Sequence, residues 1–350
     1  MHSPRILWWG RTDRGYSRNR LVLKLFRQHG CLVNYFHPLS SPLGYLEAYC
    51  RGPLKPDLIW VPCFRQADMA SAAHWAAKWS VPLVFDPLIS AYQKDIFERE
   101  KAAPGSRKAE KHRQWESALC AKADLVVADT PAHADFFHHT LGVARDKLQV
   151  LYVGAEEDLF VPMAYPPQDS TLEVLFYGSF LRLQGPEVVV AAAQKARSIN
   201  IRWTLLGEGD LKPGLQEQAR GFENIRFEPW TEYSKLPERL GQAHILLGIF
   251  GTSMKSELVI PNKMFQSMAV ARPVITRRSI AYRETLIETP EIGWVEPGNP
   301  DELLATVCQW FDHPQNLAQR GLQTRQLFEH HFREQKLATS LRTILNRFNL

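Results

Sequence analysis

Short continuous apolar runs alternate with stretches of helical periodicity along most of the chain. The first run, Ile6 to Trp9, stops at Gly10. After a polar loop, Ser17 stands as the N-cap of a helix whose apolar positions Leu21, Val22, Leu25 and Phe26 recur at helical spacing, and Gly30 closes it. Further runs follow at 57–62 (DLIWVP), 82–86 (PLVFD), 124–129 (DLVVAD) and 148–153 (LQVLYV). Continuous rather than alternating apolar runs mark strands buried on both faces of a parallel sheet.

Residues 162–170 (PMAYPPQDS) interrupt this pattern with three prolines and no periodicity, as an interdomain linker would. The unit then restarts: runs at 173–178 (EVLFYG), 201–206 (IRWTLL), 244–249 (HILLGI) and 273–276 (PVIT), with a helix from Pro186 to Arg197. Two open α/β units are expected, 1–161 and 171–330, followed by a helix over 331–350 whose expected place is back on the first domain. In such sheets ligands bind beyond the carboxyl ends of the strands, so the chemistry is sought in the loops there and in a cleft between the domains.

Composition narrows the classes without naming one. A chain of 350 residues suits about two domains of roughly 150. Its 45% hydrophobic and 23% charged residues exclude disorder and fibrous folds. The net charge of +5 does not call for nucleic acid, yet residues 5–27 concentrate seven basic side chains (Arg5, Arg11, Arg14, Arg18, Arg20, Lys24, Arg27) against Asp13 alone. No apolar run reaches the roughly 18 residues of a membrane span, and MHSPRILWWG lacks the apolar core of a signal peptide, so a cytoplasmic location is expected. The five scattered cysteines suit neither a disulfide framework nor a zinc knuckle.

Three loops carry candidate chemistry. The first, GRTDRGYSR at 10–18, has the GxxxxG spacing of a phosphate loop but lacks the Lys-Ser/Thr pair of an ATPase; it is either an anion-accepting helix start or a plain tight turn. The second, YGSFLRLQG at 177–185, pairs Gly178 with Gly185 and offers the planar guanidinium of Arg182 to phosphate oxygens. The third, 248–269, runs from a strand through Lys255 and Glu257 into a helix starting near Asn262, with Lys263 and Gln266 a turn apart. A cation at a helix N-terminus opposes the macrodipole, so Lys263 points to a bound anion such as a diphosphate, with a solvated surface lysine as the alternative. The pairs His138–His139 and His330–His331 face different helix sides, and no metal site is expected.

With these residues in view, VGAEEDLFVP at 153–162, FYGSFLRLQG, LLGEGD at 205–210, LGIFG with the later VIPNK, and MAVARPVI at 268–275 together resemble the retaining glycosyltransferases of family four. GRTDRGYSRNRLVL and PLVFDPLISAY extend the resemblance into the first half. It implies the GT-B architecture, an α/β fold of two facing Rossmann-like domains with an interdomain cleft. It also implies transfer of a sugar from a nucleotide-diphosphate sugar, which is a substrate rather than a cofactor, with retained configuration and no metal.

On that resemblance Gly178 and Ser179 face the diphosphate, and Gly207, Glu208 and Gly209 lie near the nucleotide. Pro229 and Trp230 border the base, while Lys255, Glu257, Asn262 and Gln266 complete the donor side. This chain departs from the family's GR(x)4KG by carrying Ser179 and Gln184, so Arg182 and Lys263 are expected to supply the charge. The family's EX7E pair is replaced by Leu258 and Gln266, although a glutamine can still bond ribose hydroxyls. Asp86 stands where many members place a histidine; it is the acid/base candidate, or caps the following turn.

The first loop falls on the acceptor side, with Arg14, Gly15, Tyr16 and Arg18 as its acceptor-binding residues. The basic stretch around them serves an anionic or lipid-linked acceptor, an anionic membrane surface at the inner face, or nothing beyond solvation. Two functions stay in view: an active transferase working on a cell-envelope glycoconjugate or small molecule, and a protein of GT-B shape that binds nucleotide or sugar without turnover. A dinucleotide oxidoreductase lacks its GxGxxG after the first strand.

Overall fold

The computed structural model describes residues 3–167 and 171–350. The chain forms two compact units, Met1–Gly154 with Glu334–Leu350, and Ala155–Arg333. In unit 1 the order is β1 (Arg5–Trp9), α1 (Ser17–Gln28), β2 (Leu32–Phe36), α2 (Gly44–Arg51), β3 (Leu58–Val61), α3 (Met69–Trp79), β4 (Leu83–Phe85), α4 (Ala91–Gln93), α5 (Arg107–Ala121), β5 (Leu125–Ala128), α6 (Pro131–Leu141) and β6 (Leu148–Val150). All strands are parallel, in the order β2-β1-β3-β4-β5-β6. The interior strands LIWV and LVVA are buried at every position, as their continuous apolar runs require.

Unit 2 repeats the plan with β7 (Leu172–Tyr177), α7 (Pro186–Lys195), β8 (Ile201–Leu206), α8 (Lys212–Gln218), β9 (Ile225–Glu228), α9 (Leu236–Gly241), β10 (Ile245–Leu247), α10 (Met254–Leu258), α11 (Asn262–Ala269), β11 (Val274–Arg277), β12 (Gly293–Val295), α12 (Pro300–Phe311) and α13 (Leu317–His331). Its parallel sheet runs β12-β11-β10-β7-β8-β9. Strand order therefore reverses between β1 and β3 in unit 1 and between β7 and β10 in unit 2. Beyond the carboxyl ends of those strands lie the crevices where such sheets hold ligands.

Four details differ from the sequence expectation. Ser17 is the first residue of α1, and Tyr16 occupies the cap position without a side-chain bond. The division between units falls at 154/155 rather than after 161, because Phe160 is fully buried in unit 2 against Tyr233. Residues 162–167 belong to unit 2 as well: Arg272 donates to the carbonyls of Met163 at 3.0 Å and Ala164 at 2.5 Å. The remainder of the expected linker, 168–170, lies outside the described residues. At the other end α14 (Glu334–Asn346) starts three residues later than the helix read from sequence, and its Leu337, Leu341, Ile344 and Leu345 join the unit 1 core that holds Leu21 and Leu25.

Candidate functional site

In unit 2, β7 ends at Gly178, whose φ of +137° is closed to ordinary side chains. A Cβ there would stand 2.6 Å from Gln184 Oε1 and 3.3 Å from Lys263 Nζ. Gly207, at the end of the neighbouring β8, packs tighter still: a Cβ would meet the Gly178 carbonyl oxygen at 1.9 Å. The two strand-end loops are stitched together by Phe180 N–H donating to the Glu208 carbonyl at 2.9 Å, and Leu211 N–H donating back to Phe180 at 3.2 Å. Gly178, Ser179 and Gly207–Gly209 are thus brought together as one backbone surface at the carboxyl ends of β7 and β8.

Lys263 enters this surface from the first turn of α11, a helix capped by Pro261 and lacking an acidic residue in that turn. Its side chain is 4% exposed. The ammonium donates to Gln184 Oε1 at 2.8 Å and sits 3.8 Å over the Phe176 ring. Among the described residues no carboxylate lies within ion-pair distance of it, and burial pulls its pKa well below the usual lysine range. A cation opposed to the helix dipole, desolvated, and met by an amide and the rings of Phe176 and Tyr177 is a costly arrangement, of the kind proteins keep where function compensates.

The other donor-side candidates are placed as follows. Arg182 is exposed on a single 3₁₀ turn, Arg182–Gln184, before α7. Glu208 is exposed and paired at 2.7 Å with Lys212, whose ammonium also reaches the carbonyls of Gly207 at 2.7 Å and Glu228 at 3.0 Å. Trp230 is 56% exposed on the segment after β9. Lys255 is buried on α10, and Asn262 is half-buried at the start of α11.

Glu257 is committed to Arg277 at the end of β11, with its second oxygen accepting from Ile280 N–H at 3.2 Å. Arg277 also donates to the Gly251 carbonyl at 2.7 Å and to Ser256 Oγ at 2.6 Å. Glu257 thus anchors α10 to the β11 loop, and this tie has to open before its carboxylate reaches a donor. Gln266 donates to Tyr233 Oη at 3.3 Å, and Tyr233 in turn to Glu156 at 2.6 Å. Neither Tyr233 nor Glu156 stands out in the sequence, for they join Gln266 only in the folded unit.

In unit 1 the crevice side of the sheet holds a buried polar network. Arg18 and Asp86 form a bidentate pair, Nε to Oδ2 at 3.0 Å and Nη2 to Oδ1 at 3.1 Å, with side chains 0% and 1% exposed. The remaining guanidinium nitrogen donates to the carbonyls of Leu151 at 2.7 Å and Tyr152 at 2.9 Å. Burial pushes the Asp86 carboxyl above its usual range, and the Arg18 charge works against that push. Beside them His133 Nδ1 contacts Asp129 Oδ1 at 2.7 Å, and its Nε2 contacts Gln93 Oε1 at 3.2 Å.

This placement redirects two expectations. Asp86 and Arg18, read from the sequence as an acid/base candidate and an acceptor ligand, occupy each other, and either could contact substrate only if the pair opened. A sequence signal existed: Arg18 shares helical spacing with Leu21, Val22 and Leu25 and so lies on the buried face of α1. Of the other acceptor candidates, Arg14 and Gly15 are exposed, Arg14 lying 4.7 Å over the Tyr35 ring. Tyr16 is half-buried edge-on to Phe64, and burial raises its hydroxyl pKa.

Two family models divide the chain as the fold does. Residues 9–154 match the one described as "Glycosyl transferase 4-like domain" and residues 171–313 the one described as "Glycosyl transferases group 1". The chain belongs to the group 1 glycosyltransferases.

Among the relatives of this chain is WcaI of Escherichia coli (strain K12), described as a colanic acid biosynthesis glycosyl transferase. It is 30% identical over 148 residues, 40% of this chain and 36% of that protein. The D-inositol 3-phosphate glycosyltransferase of Thermobifida fusca (strain YX) is 28% identical over 179 residues, 48% of this chain and 39% of that one. The matched stretches thus span little more than a third of these relatives' length.

Solved structures agree in fold along nearly the whole chain. HepE of Anabaena, in complex with UDP, superposes with a TM-score of 0.74 at 16% identity, covering 98% of this chain and 100% of that one. Sucrose-phosphate synthase from Thermosynechococcus elongatus gives 0.77 at 16% identity, covering 98% of both. The fold is the α/β GT-B class.

Proposed function

We propose that this protein transfers a sugar from a nucleotide-diphosphate sugar to an acceptor hydroxyl, with retention at the anomeric carbon and without a metal. The observation that carries the reading is the Lys263 ammonium, buried on Gln184 beside the Gly178 loop with no carboxylate among the described residues to neutralise it. As the bond between the anomeric carbon and the phosphate oxygen breaks, its electron pair stays on the diphosphate. A preorganised cation with backbone N–H groups is the usual means of stabilising that charge. Lys263 and Arg182 would supply it in place of a metal ion.

Retention comes from the family resemblance, and the Arg18–Asp86 pair supports the accompanying route. With Asp86 fully engaged, the proton of the acceptor hydroxyl passes to the departing phosphate oxygen as the new carbon–oxygen bond forms on the same face. Uridine is the first nucleotide to test, because Anabaena HepE is described in complexes with UDP and with UDP-glucose. The acceptor is read as a cell-envelope glycoconjugate or small molecule, anionic or lipid-linked, with the protein working in the cytoplasm or at the inner membrane face. Among the described residues no helix is long and apolar enough to cross a membrane.

The test is incubation with UDP-, GDP- and ADP-sugars, following transfer or slow donor hydrolysis, beside calorimetric titration of each nucleoside diphosphate. Silence in both sinks the reading. The substitutions Gln184 and Gln266 and the apolar Leu258 favour a second one, a binding protein without turnover. Nucleotide binding without hydrolysis or transfer, unchanged in Lys263→Ala, would establish it.

A further inference from the structure

Helix α5 presents a face that neither the donor loops nor the Arg18–Asp86 network uses. Lys108, Lys111, His112 and Trp115 recur at helical spacing and line one side of a surface recess of about 300 Å³. Its other walls are Lys101 and the π-helical turn Lys94–Glu98, which contributes Asp95 and Ile96. Single π-turns are rare and concentrate at functional sites.

Three lysines, His112 and a single carboxylate, Asp95, line this recess, so its charge is predominantly positive. Arg107 and Lys108 occupy the first turn of α5, where cations oppose the helix dipole. Glu110, the acid of that turn, is taken by Arg113 through both oxygens, at 2.9 Å and 2.6 Å. Asp95 is countered by Lys101 at 3.0 Å and Arg99 at 3.7 Å. His112 Nε2 lies 3.5 Å from Asp95 Oδ2 without forming a hydrogen bond, so the imidazole also faces that carboxylate.

The recess also offers a ring platform. Trp115 is 41% exposed, with the His112 ring parallel to it at 14° and 5.2 Å between centroids. A flat apolar face ringed by ammonium groups suits one ring-sized ligand with a charged substituent. A planar lipid surface would instead need a protruding apolar edge, and this site is concave.

The same helix reaches the strand-end network from its inner side. Glu116, fully buried, accepts from Ser90 Oγ at 2.6 Å and from the N–H groups of Ala91 and Tyr92 at 2.6 Å and 2.7 Å, so it clamps the loop that follows Asp86. The outer and inner faces of α5 therefore tie the recess to the crevice side of unit 1.

We propose that this recess binds an anionic saccharide, its ring on Trp115 and its carboxylate or phosphate among Lys101, Lys108 and Lys111. The saccharide identity rests on the glycosyl-transfer reading, whereas the anion site does not. The test is calorimetric titration of the full chain with trigalacturonic acid, with maltotriose as the neutral equivalent, and flotation with vesicles of equal parts phosphatidylcholine and phosphatidylglycerol.

Trigalacturonic acid should bind and maltotriose should not. Its affinity should fall about tenfold or more in Lys108→Ala/Lys111→Ala, and in Trp115→Ala. Unfolding midpoints of these surface variants should stay at the wild-type value, so lost binding is not lost folding. Absent binding, or equal binding by the variants, overturns the proposal. So does vesicle binding that disappears in the variants while trigalacturonic acid is ignored. A UDP titration of the same samples reports on the donor reading separately, since no α5 residue takes part in the Lys263 cluster.

Discussion

Lys263, on the first turn of α11, donates its ammonium to the side-chain oxygen of Gln184 at 2.8 Å, across 79 residues of sequence. The position where the family pattern carries a lysine is thus neutral in this chain, and a lysine from another element delivers a positive charge to it.

If that charge stabilises the leaving diphosphate, Lys263→Ala should lower turnover by about two to three orders of magnitude, the scale seen when one charge-stabilising donor is removed. Steady-state rates with the active donor check this. A loss under about fivefold would mean that Lys263 is a packing residue.

The site is expected to need one cation rather than a particular residue. Gln184→Lys alone places two ammonium groups within hydrogen-bond distance, which costs stability in the free protein through like-charge repulsion. Lys263→Gln alone removes the cation. The exchange Gln184→Lys with Lys263→Gln should recover at least about tenfold in kcat/KM over the weaker single variant. Additive losses in this double-mutant cycle would contradict the idea.

A desolvated lysine without a carboxylate should also weaken the free protein. Burial lowers the folded-state pKa of Lys263, so its charged form costs stability below that value, and the cost fades as pH rises toward the unfolded value of about 10.4. Lys263→Met should therefore stabilise the unliganded chain at neutral pH, by about 0.5–2 kcal/mol. The gain should shrink between the depressed value and about 10.4. Denaturant titrations at a series of pH values measure it, and a destabilised Lys263→Met at neutral pH would refute it.

The Arg18–Asp86 pair should act as one unit. Asp86→Leu or Arg18→Met leaves a buried charge without its partner and should cost about 3–5 kcal/mol, whereas the double variant should cost less than the sum. Equilibrium unfolding of the three variants decides it. A fully stable Asp86→Leu with lost turnover would instead return Asp86 to the role of acid/base.

Much of this architecture was legible before folding. Runs such as LIWV at 58–61 and LVVA at 125–128 announce themselves because both faces of those strands are buried. The edge strand β2, LVNYF, gives no such run, since Leu32 and Asn34 face solvent. Gly178 and Lys263 were readable as a strand-end glycine and a misplaced helix cation. Their meeting at Gln184 was not, because no local periodicity links residues so far apart. Arg18 misleads for a related reason: counted within the basic stretch of residues 5–27 it looks like surface charge, yet it is fully buried. Lys24 is likewise partly spent, paired at 2.8 Å with Glu334 of α14.

The most direct test of the central claim is proton-linked calorimetry of UDP and of uridine, performed at alkaline pH in buffers of different ionisation enthalpy. A diphosphate seated on Lys263 restores its proton, so UDP binding should take up protons and weaken as pH rises toward about 10.4. The uracil N3–H ionises in this range in both ligands, so the diphosphate effect is the difference between them: uridine should show less proton uptake and a weaker pH dependence, and Lys263→Met should bring UDP to the uridine level. UDP binding with no proton uptake, equally strong in Lys263→Met, would contradict the account.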